Sequence, residues 1–331
     1  MSPHQKQIYF KLIALWVICE AMLGGIIHGF KLPISGLIVG GSAVVCICLI
    51  GHLVPYKGAI IRATIVVAIF KMMLSPQSPF PAYIAVLFQG LCGELLFSAG
   101  KKHFALKSYT LAFLALIESA IQRVLVMTVL FGVDFWKAVN DFIVNLTKSD
   151  PSANFSLYLV SLYLFLHLLA AFLIGKFCSA IPEMLKFTRD EMQPYLIDLT
   201  INNKEEATIK RKKGISFLFV VWLILAGIYI YNQIYPEGVF ASGHSSLKFI
   251  FRSAIILLTW YLIFAPLLLG LLKKWLDKRK GMYKKEIEEI VLLLPSTTIL
   301  IKESWKRSKG QIGFSRIRFF WRTLIINSVA T

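Results

Sequence analysis

Eight long apolar stretches are the feature of this 331-residue sequence that most restricts its fold. A helix needs roughly 20 mostly apolar residues to cross the hydrocarbon core of a bilayer. The eight stretches cover residues 9–28, 34–54, 59–75, 81–98, 106–132, 157–178, 215–235 and 249–272. Because 57% of the residues are hydrophobic and only 16% are charged, an ordinary soluble domain is excluded. The sequence predicts an all-α, polytopic membrane protein with about eight transmembrane helices.

The positions of Lys and Arg predict how these helices are oriented. Basic residues collect in cytoplasmic loops. If the N-terminus is cytoplasmic, the inner loops hold Lys101, Lys102 and Lys107, and later the basic cluster from Lys210 to Lys213. The connections on the other side contain few basic residues. We therefore expect an N-in, C-in topology, which requires an even number of spans.

A strongly basic C-terminal segment follows the last predicted span. From Lys273 onward the chain holds fourteen Lys or Arg and five acidic residues, which is half of its net charge of +18. The sequence predicts a cytoplasmic helical tail. Residues 284–309 have an apolar stripe at helical spacing, formed by Ile287, Ile290, Val291, Leu294, Ile301 and Trp305. Such a helix lies on the membrane, packs on another helix or docks a soluble partner, and Pro295 is expected to bend or break it.

Charged and amide side chains at membrane depth are the candidate functional residues, because placing them there is costly. A solute site open to the outside is predicted from five of them: Lys71, Gln89, Glu118, Gln122 and Arg123. Glu118 and Gln122 are four residues apart and share a helix face. The alternative is an internal ion pair between Glu118 or Glu94 and a basic neighbour; Glu20 is a further acid at this depth.

Small residues in the second span predict close helix packing. Gly36 and Gly40 are four residues apart, a spacing that lets two helix backbones approach closely. We expect these glycines to pack within the protein's own helix bundle.

The stretch 62–97 resembles the middle of the substrate-capturing S components of energy-coupling factor (ECF) transporters. The similarity is carried by the aliphatic run Ala68–Lys71, the Pro- and Ser-rich linker after it, and the small residues from Gly90 to Glu94. It extends over residues 8–180. The resemblance implies that residues 1–180 form a six-span capture domain for a vitamin-like solute, followed by a cytoplasmic linker segment, 181–213.

The tail of the C-terminal region 214–331, which also holds two predicted spans, resembles the cytoplasmic coupling helices of the T component of the same transporters. In that family, short motifs on cytoplasmic helices place an arginine in a groove of the ATPase. The matching residues are Lys306, Arg307 and Ser308, with Arg316 or Arg318 as a second contact. The resemblance implies ABC-type ATPase subunits as partners, together with a further transmembrane coupling subunit.

The chain lacks the nucleotide-binding pattern GxxxxGK[ST], so we expect ATP to be hydrolysed by a partner and no cofactor or metal to be bound directly. The sequence predicts a subunit of an ECF-like ABC importer in the bacterial cytoplasmic (inner) membrane. It is not expected to be an enzyme or to bind nucleic acid, and its basic tail is expected to contact anionic lipids.

Two other classes of function remain open. A membrane scaffold or assembly factor would explain the charged tail without a solute site. An intramembrane lipid-modifying enzyme is less favoured, because the membrane acids are scattered and no DxxxD or HxxxH cluster is present.

Overall fold

A computed structural model of the chain describes residues 1–23, 35–54, 56–75, 78–100, 102–148, 154–186, 192–197, 254–256 and 258–329. All regular structure in these residues is helical, so the predicted all-α class is confirmed for this part of the chain. The predicted span 215–235 and the cluster Lys210–Lys213 lie outside it, as do parts of the span 249–272 and of the linker.

The first six predicted spans each fall on a helix. The helices of this half are α1 Pro3–Val17, which continues into a π-helical turn Ile18–Leu23, α2 Ser35–Leu53, α3 Ala59–Leu74, α4 Phe80–Phe97, α5 Phe104–Phe131, α6 Val133–Thr147 and α7 Phe155–Ser179. Among the residues that the structure describes, four stretches are long and apolar enough to cross a membrane: Gly36–Leu53, Phe80–Phe97, Phe104–Val129 and Phe155–Met184. These four indicate a membrane protein, while the count of eight spans and the topology stay predictions.

Helix α6 was not predicted, because the sequence between the fifth and sixth spans reads as a connection. It begins after Gly132, whose φ of 76° favours glycine, and ends at Lys148, which has a φ of 51°. Apolar residues recur along it at helical spacing, at Trp136, Val139 and Ile143. This period could have revealed an amphipathic helix.

The C-terminal part contains further helices. They are α8 Ile181–Met184, a 3-10 turn Gln193–Tyr195, a π-helical turn Trp260–Phe264, α9 Ala265–Lys280, α10 Lys284–Arg307, a 3-10 turn Ser308–Gly310 and α11 Phe314–Val329. The predicted amphipathic tail helix corresponds to α10.

Helix α10 runs unbroken through Pro295, so of the expected bend or break the break is wrong, and the bend stays a prediction. Proline removes one backbone hydrogen bond and crowds the preceding turn, at a cost of about 3 kcal/mol. Ile290 and Leu300, on the two sides of Pro295, are both buried. Burial of two such side chains contributes about 3–6 kcal/mol, enough to hold the helix together across the proline.

The buried face of α10 also differs from the predicted stripe. Its buried residues are Ile287, Ile290, Thr297, Leu300 and Ser304. Val291 and Trp305, both predicted on the apolar stripe, are 47% exposed. The hydroxyl of Thr297 donates to the Leu293 carbonyl over 2.7 Å, which lets a polar residue occupy the buried face.

The chain folds into two compact units. The first comprises residues 1–119, 166–203 and 273–331, and the second comprises 120–165 and 204–272. In the first unit α1 is the central helix: the side chains from Leu12 to Val17 have no exposed surface. Helices α2, α3, α10 and α11 pack around it. The C-terminal helices α10 and α11 therefore share a core with the N-terminal helix; the three-part division at 180 and 213 stays a prediction.

The expected close packing of the small residues in α2 is confirmed. A Cβ at Gly36 would collide with the side chain of Ser119 on α5, and a Cβ at Gly40 would lie 3.4 Å from Leu116 and 3.3 Å from the amide nitrogen of Gln89. Both glycines thus face neighbours within the first unit.

Candidate functional site

A buried ion pair joins the end of α3 to the π-helical turn after α1. The Lys71 Nζ lies 2.7 Å from the Glu20 Oε2, and each side chain is only 2% exposed. A π-helical turn is uncommon and often occurs at functional positions. Here it places an acid against the last turn of α3, where the only lysine of that helix lies.

This pair is buried, and further polar groups lie on one side of it. The Lys71 Nζ also donates to the Ala82 carbonyl over 3.4 Å and lies 6.0 Å from the centre of the Tyr83 ring. Next to it, the Ser75 hydroxyl donates to the Ala21 carbonyl over 2.7 Å. The charge of Lys71 is therefore compensated within the first unit, so its place in a solute site would require Glu20 as part of that site.

Glu20 is not among the five predicted site residues, although it was recognised as an acid at membrane depth. One signal could have identified it as the partner of Lys71. In the predicted topology both residues lie in the outer halves of their spans, 9–28 and 59–75. Two opposite charges at one depth of a bilayer are expected to pair, since each alone is costly there.

Glu94 caps the N-terminus of α3 instead of pairing with a basic side chain. Its carboxylate accepts hydrogen bonds from the backbone N–H groups of Gly58 at 2.6 Å, Ile60 at 3.1 Å and Ile61 at 3.2 Å. The first N–H groups of a helix have no partner within it, and a negative charge there is favoured by the helix dipole. The Glu94 carboxylate thus ties α4 to the start of α3.

Replacing Glu94 by Ala is expected to lower the free energy of unfolding by about 1–2 kcal/mol, because three backbone donors of α3 lose their acceptor. Glu94→Gln, which keeps one side-chain acceptor, is expected to lose less. Chemical unfolding in a mild detergent would measure both. An Ala variant as stable as the wild type would contradict the capping role.

Gln89 lies inside the first unit rather than at an open surface. Its side chain is 2% exposed, and its Oε1 has no hydrogen-bond partner in the part of the chain that the structure describes. Its amide nitrogen faces Gly40 of α2. Gln89 is therefore a buried amide at the packing of α2 with α4.

The remaining predicted solute residues lie along α5. Glu118 is half-buried in the first unit, while Gln122, half-buried, and Arg123, exposed, lie in the second. Glu118 and Gln122 are one helical turn apart, as expected. Three cavities in the described residues are lined by side chains other than the five predicted for the solute site.

The residues predicted to couple to an ATPase lie at the junction of α10 and α11. The Arg307 guanidinium donates to the Leu196 carbonyl over 2.6 Å. Asn327 of α11 holds the same segment, donating to the Tyr195 carbonyl over 2.7 Å and accepting from the Ile197 N–H over 2.9 Å. Arg307 therefore forms a hydrogen bond within its own chain, whereas the resemblance implies that it enters a groove of a partner ATPase.

Of the other coupling candidates, some contact neighbouring side chains within the chain, and others are accessible to a partner protein. Ser308 is fully buried, and Arg316 stacks on the Trp305 ring at 4.2 Å while donating to the Ser308 hydroxyl over 3.4 Å. Lys306 is exposed and makes a 3.8 Å ion pair with Glu303, a contact of little energy at a surface. Arg318 is exposed, and its guanidinium has no hydrogen bond or ion pair with another described residue. Among the five, Lys306 and Arg318 are available to a partner.

Within the described ranges, no three His, Cys, Asp or Glu side chains are arranged to hold a metal ion. The chain matches no protein-family model, no curated protein and no solved structure.

Proposed function

We propose that this protein is the membrane subunit of an ECF-like ABC importer in the bacterial cytoplasmic membrane, which captures a small vitamin-like solute and works with a separate ATPase. The observation that supports the proposal is the packing of α10, the basic C-terminal helix, along α1 and against the turn that carries Glu20. A partner that binds the C-terminal helices would thereby act on the buried Glu20–Lys71 pair.

Helix α10 runs in the same direction as α1. Near their beginnings, the Lys6 Nζ lies 3.4 Å from the Glu289 Oε1. Further along, α10 also contacts the turn Ile18–Leu23. Since a helix rises 1.5 Å per residue, this turn lies about 18 Å or more beyond Lys6. The two helices are therefore side by side over most of the length of α1. A cytoplasmic α10 and a membrane-spanning α1 are thus alternatives, and the proposed ATPase contact requires the first.

Through this packing, a movement of α10 caused by a partner would reach the buried Glu20–Lys71 pair. A displacement of α10 would move the turn that holds Glu20, and with it the ion pair to Lys71 and the Ser75–Ala21 hydrogen bond. In this proposal the solute is bound within the first unit, by Glu118 and by the Glu20–Lys71 pair. The ATPase, a further coupling subunit and anionic lipids bind the basic C-terminal helices.

Charge reversal of Arg318 tests the proposed ATPase contact. We expect Arg318→Glu to reduce the amount of ABC-type ATPase recovered with the protein in mild detergent by about tenfold, since one charge-assisted hydrogen bond is lost and a repulsive charge is added. Lys102→Glu, at another exposed basic residue of a predicted inner loop, is the matched control and is expected to change nothing. Mass spectrometry of the purified complexes gives both the ATPase and any retained solute.

Two results would contradict the proposal. Equal recovery of the ATPase with Arg318→Glu and with Lys102→Glu would show that α11 is not the contact. Absence of any retained solute, together with unchanged solute uptake when Glu118 and Gln122 are replaced by Ala, would favour the alternative of a membrane scaffold or assembly factor. The tightly closed Glu20–Lys71 pair is the observation that favours this alternative.

A further inference from the structure

A cavity of about 300 Å³ lies in the first unit between the beginnings of α1, α3 and α10. Its lining includes two side chains of opposite charge, Arg62 and Glu286, and the apolar residues Phe10, Ile13 and Val66. It belongs neither to the predicted solute site nor to the proposed ATPase contact.

The two charged groups of this cavity are available to a ligand. The Arg62 guanidinium and the Glu286 carboxylate have no hydrogen bond or ion pair with other residues that the structure describes. Both line the same cavity as the Tyr9 side chain. Lys6, also in the lining, makes a solvent-exposed ion pair with Glu289 at 3.4 Å and lies 5.3 Å from the centre of the Phe10 ring. The lining therefore offers Glu286 as an anion and Arg62 as a cation, with Lys6 as a further cation.

The remaining lining residues are of the types found at the boundary between lipid head groups and acyl chains. Tyr9, Tyr56 and Tyr283 line the cavity, and the Tyr9 hydroxyl donates to the Ala59 carbonyl over 2.7 Å, which fixes its position. Tyrosine is enriched at membrane interfaces. Ile13 and Val66 each lie about one turn further along their helices than Tyr9 and Arg62, toward the predicted hydrocarbon core.

We propose that this cavity binds the head group of phosphatidylethanolamine from the inner leaflet. Arg62 binds the phosphate, for which a guanidinium offers two parallel N–H donors. Glu286 accepts hydrogen bonds from the ammonium group, and the acyl chains remain in the bilayer. An anionic phosphatidylglycerol would leave Glu286 facing a negative lipid, and a choline head group has no N–H to donate.

Lipid retention by the full chain in detergent, measured by native mass spectrometry, tests this proposal. We expect the wild type to retain phosphatidylethanolamine about tenfold better than phosphatidylglycerol or phosphatidylcholine. Arg62→Gln is expected to lose the bound lipid. Glu286→Lys is expected to reverse the preference toward phosphatidylglycerol, a gain that a misfolded protein could not show. Lys102→Gln is the control and is expected to behave as the wild type.

Three outcomes would overturn the proposal: equal retention of the three lipids by the wild type, retention of phosphatidylethanolamine by Arg62→Gln, or an unchanged preference in Glu286→Lys. Competition by free phosphoethanolamine at a concentration similar to that of the lipid would show that the cavity takes a soluble head group instead. None of these results depends on an ATPase or a transported solute, so the test is separate from that of the importer.

Discussion

Replacing Lys71 by Met is expected to lower the free energy of unfolding by about 3–5 kcal/mol, the cost of leaving one partner of a buried ion pair without the other. Glu20 would remain 2% exposed, with its counter-charge removed. Because Met has a length similar to that of the lysine stem, the change removes the charge with little loss of packing. Unfolding in detergent, followed by circular dichroism during titration with a denaturing detergent, measures the difference.

The double variant Lys71→Met with Glu20→Gln tests whether the lost stability comes from the unpaired charge of Glu20 and not from altered packing around it. Once the lone charge is gone, we expect most of the lost stability to return, since a buried pair replaced by neutral groups of similar size is often close to neutral. The exposed pair of Lys137 and Asp134, whose atoms are 3.5 Å apart, is the matched control. Lys137→Met is expected to change stability by about 0–1 kcal/mol. A double variant no more stable than Lys71→Met alone would contradict the pairing.

The positions of the helices follow from local sequence, and for that reason they could be predicted. An apolar run of about 20 residues carries its own signal wherever it folds, and the first six runs each fall on a helix. Helix α6 was missed because its apolar residues are diluted by polar ones, so that length alone did not separate it from a loop. The unbroken α10 was mispredicted at Pro295, where burial on both sides outweighs a local preference.

The partners of the polar residues could not be predicted, because they depend on how distant segments pack. Lys71 and Glu20 are 51 positions apart in the sequence, and Arg307 and Leu196 are 111 apart. Glu94 carries a charge that suits a solute site, an ion pair or a helix cap equally well; only the approach of α4 to the start of α3 selects the cap. Residue type and depth thus identify candidates, while tertiary packing decides which of them are already satisfied.

Close packing of α3 against α4 predicts the second large effect, at Gly90. A Cβ there would collide with the side chain of Thr64, which is fully buried on α3 and donates to the Ile60 carbonyl over 2.7 Å. Thr64 has a branched side chain with few alternative positions. We therefore expect Gly90→Ala to lower the free energy of unfolding by about 2–3 kcal/mol through overpacking, measured by the same titration in detergent.

Gly270 of α9 provides the matched control, because no described group outside its own stretch of helix lies within 4 Å of the position a Cβ would take. An alanine inside a helix is favoured over glycine by about 0.5–1 kcal/mol when nothing opposes it. Gly270→Ala is thus expected to leave stability unchanged or to raise it slightly. If Gly90→Ala also raised stability, the contact of Gly90 with Thr64 would not limit the approach of α3 and α4. A loss at Gly90 combined with a gain at Gly270 would show that the glycine is required by the neighbouring helix and not by its own backbone.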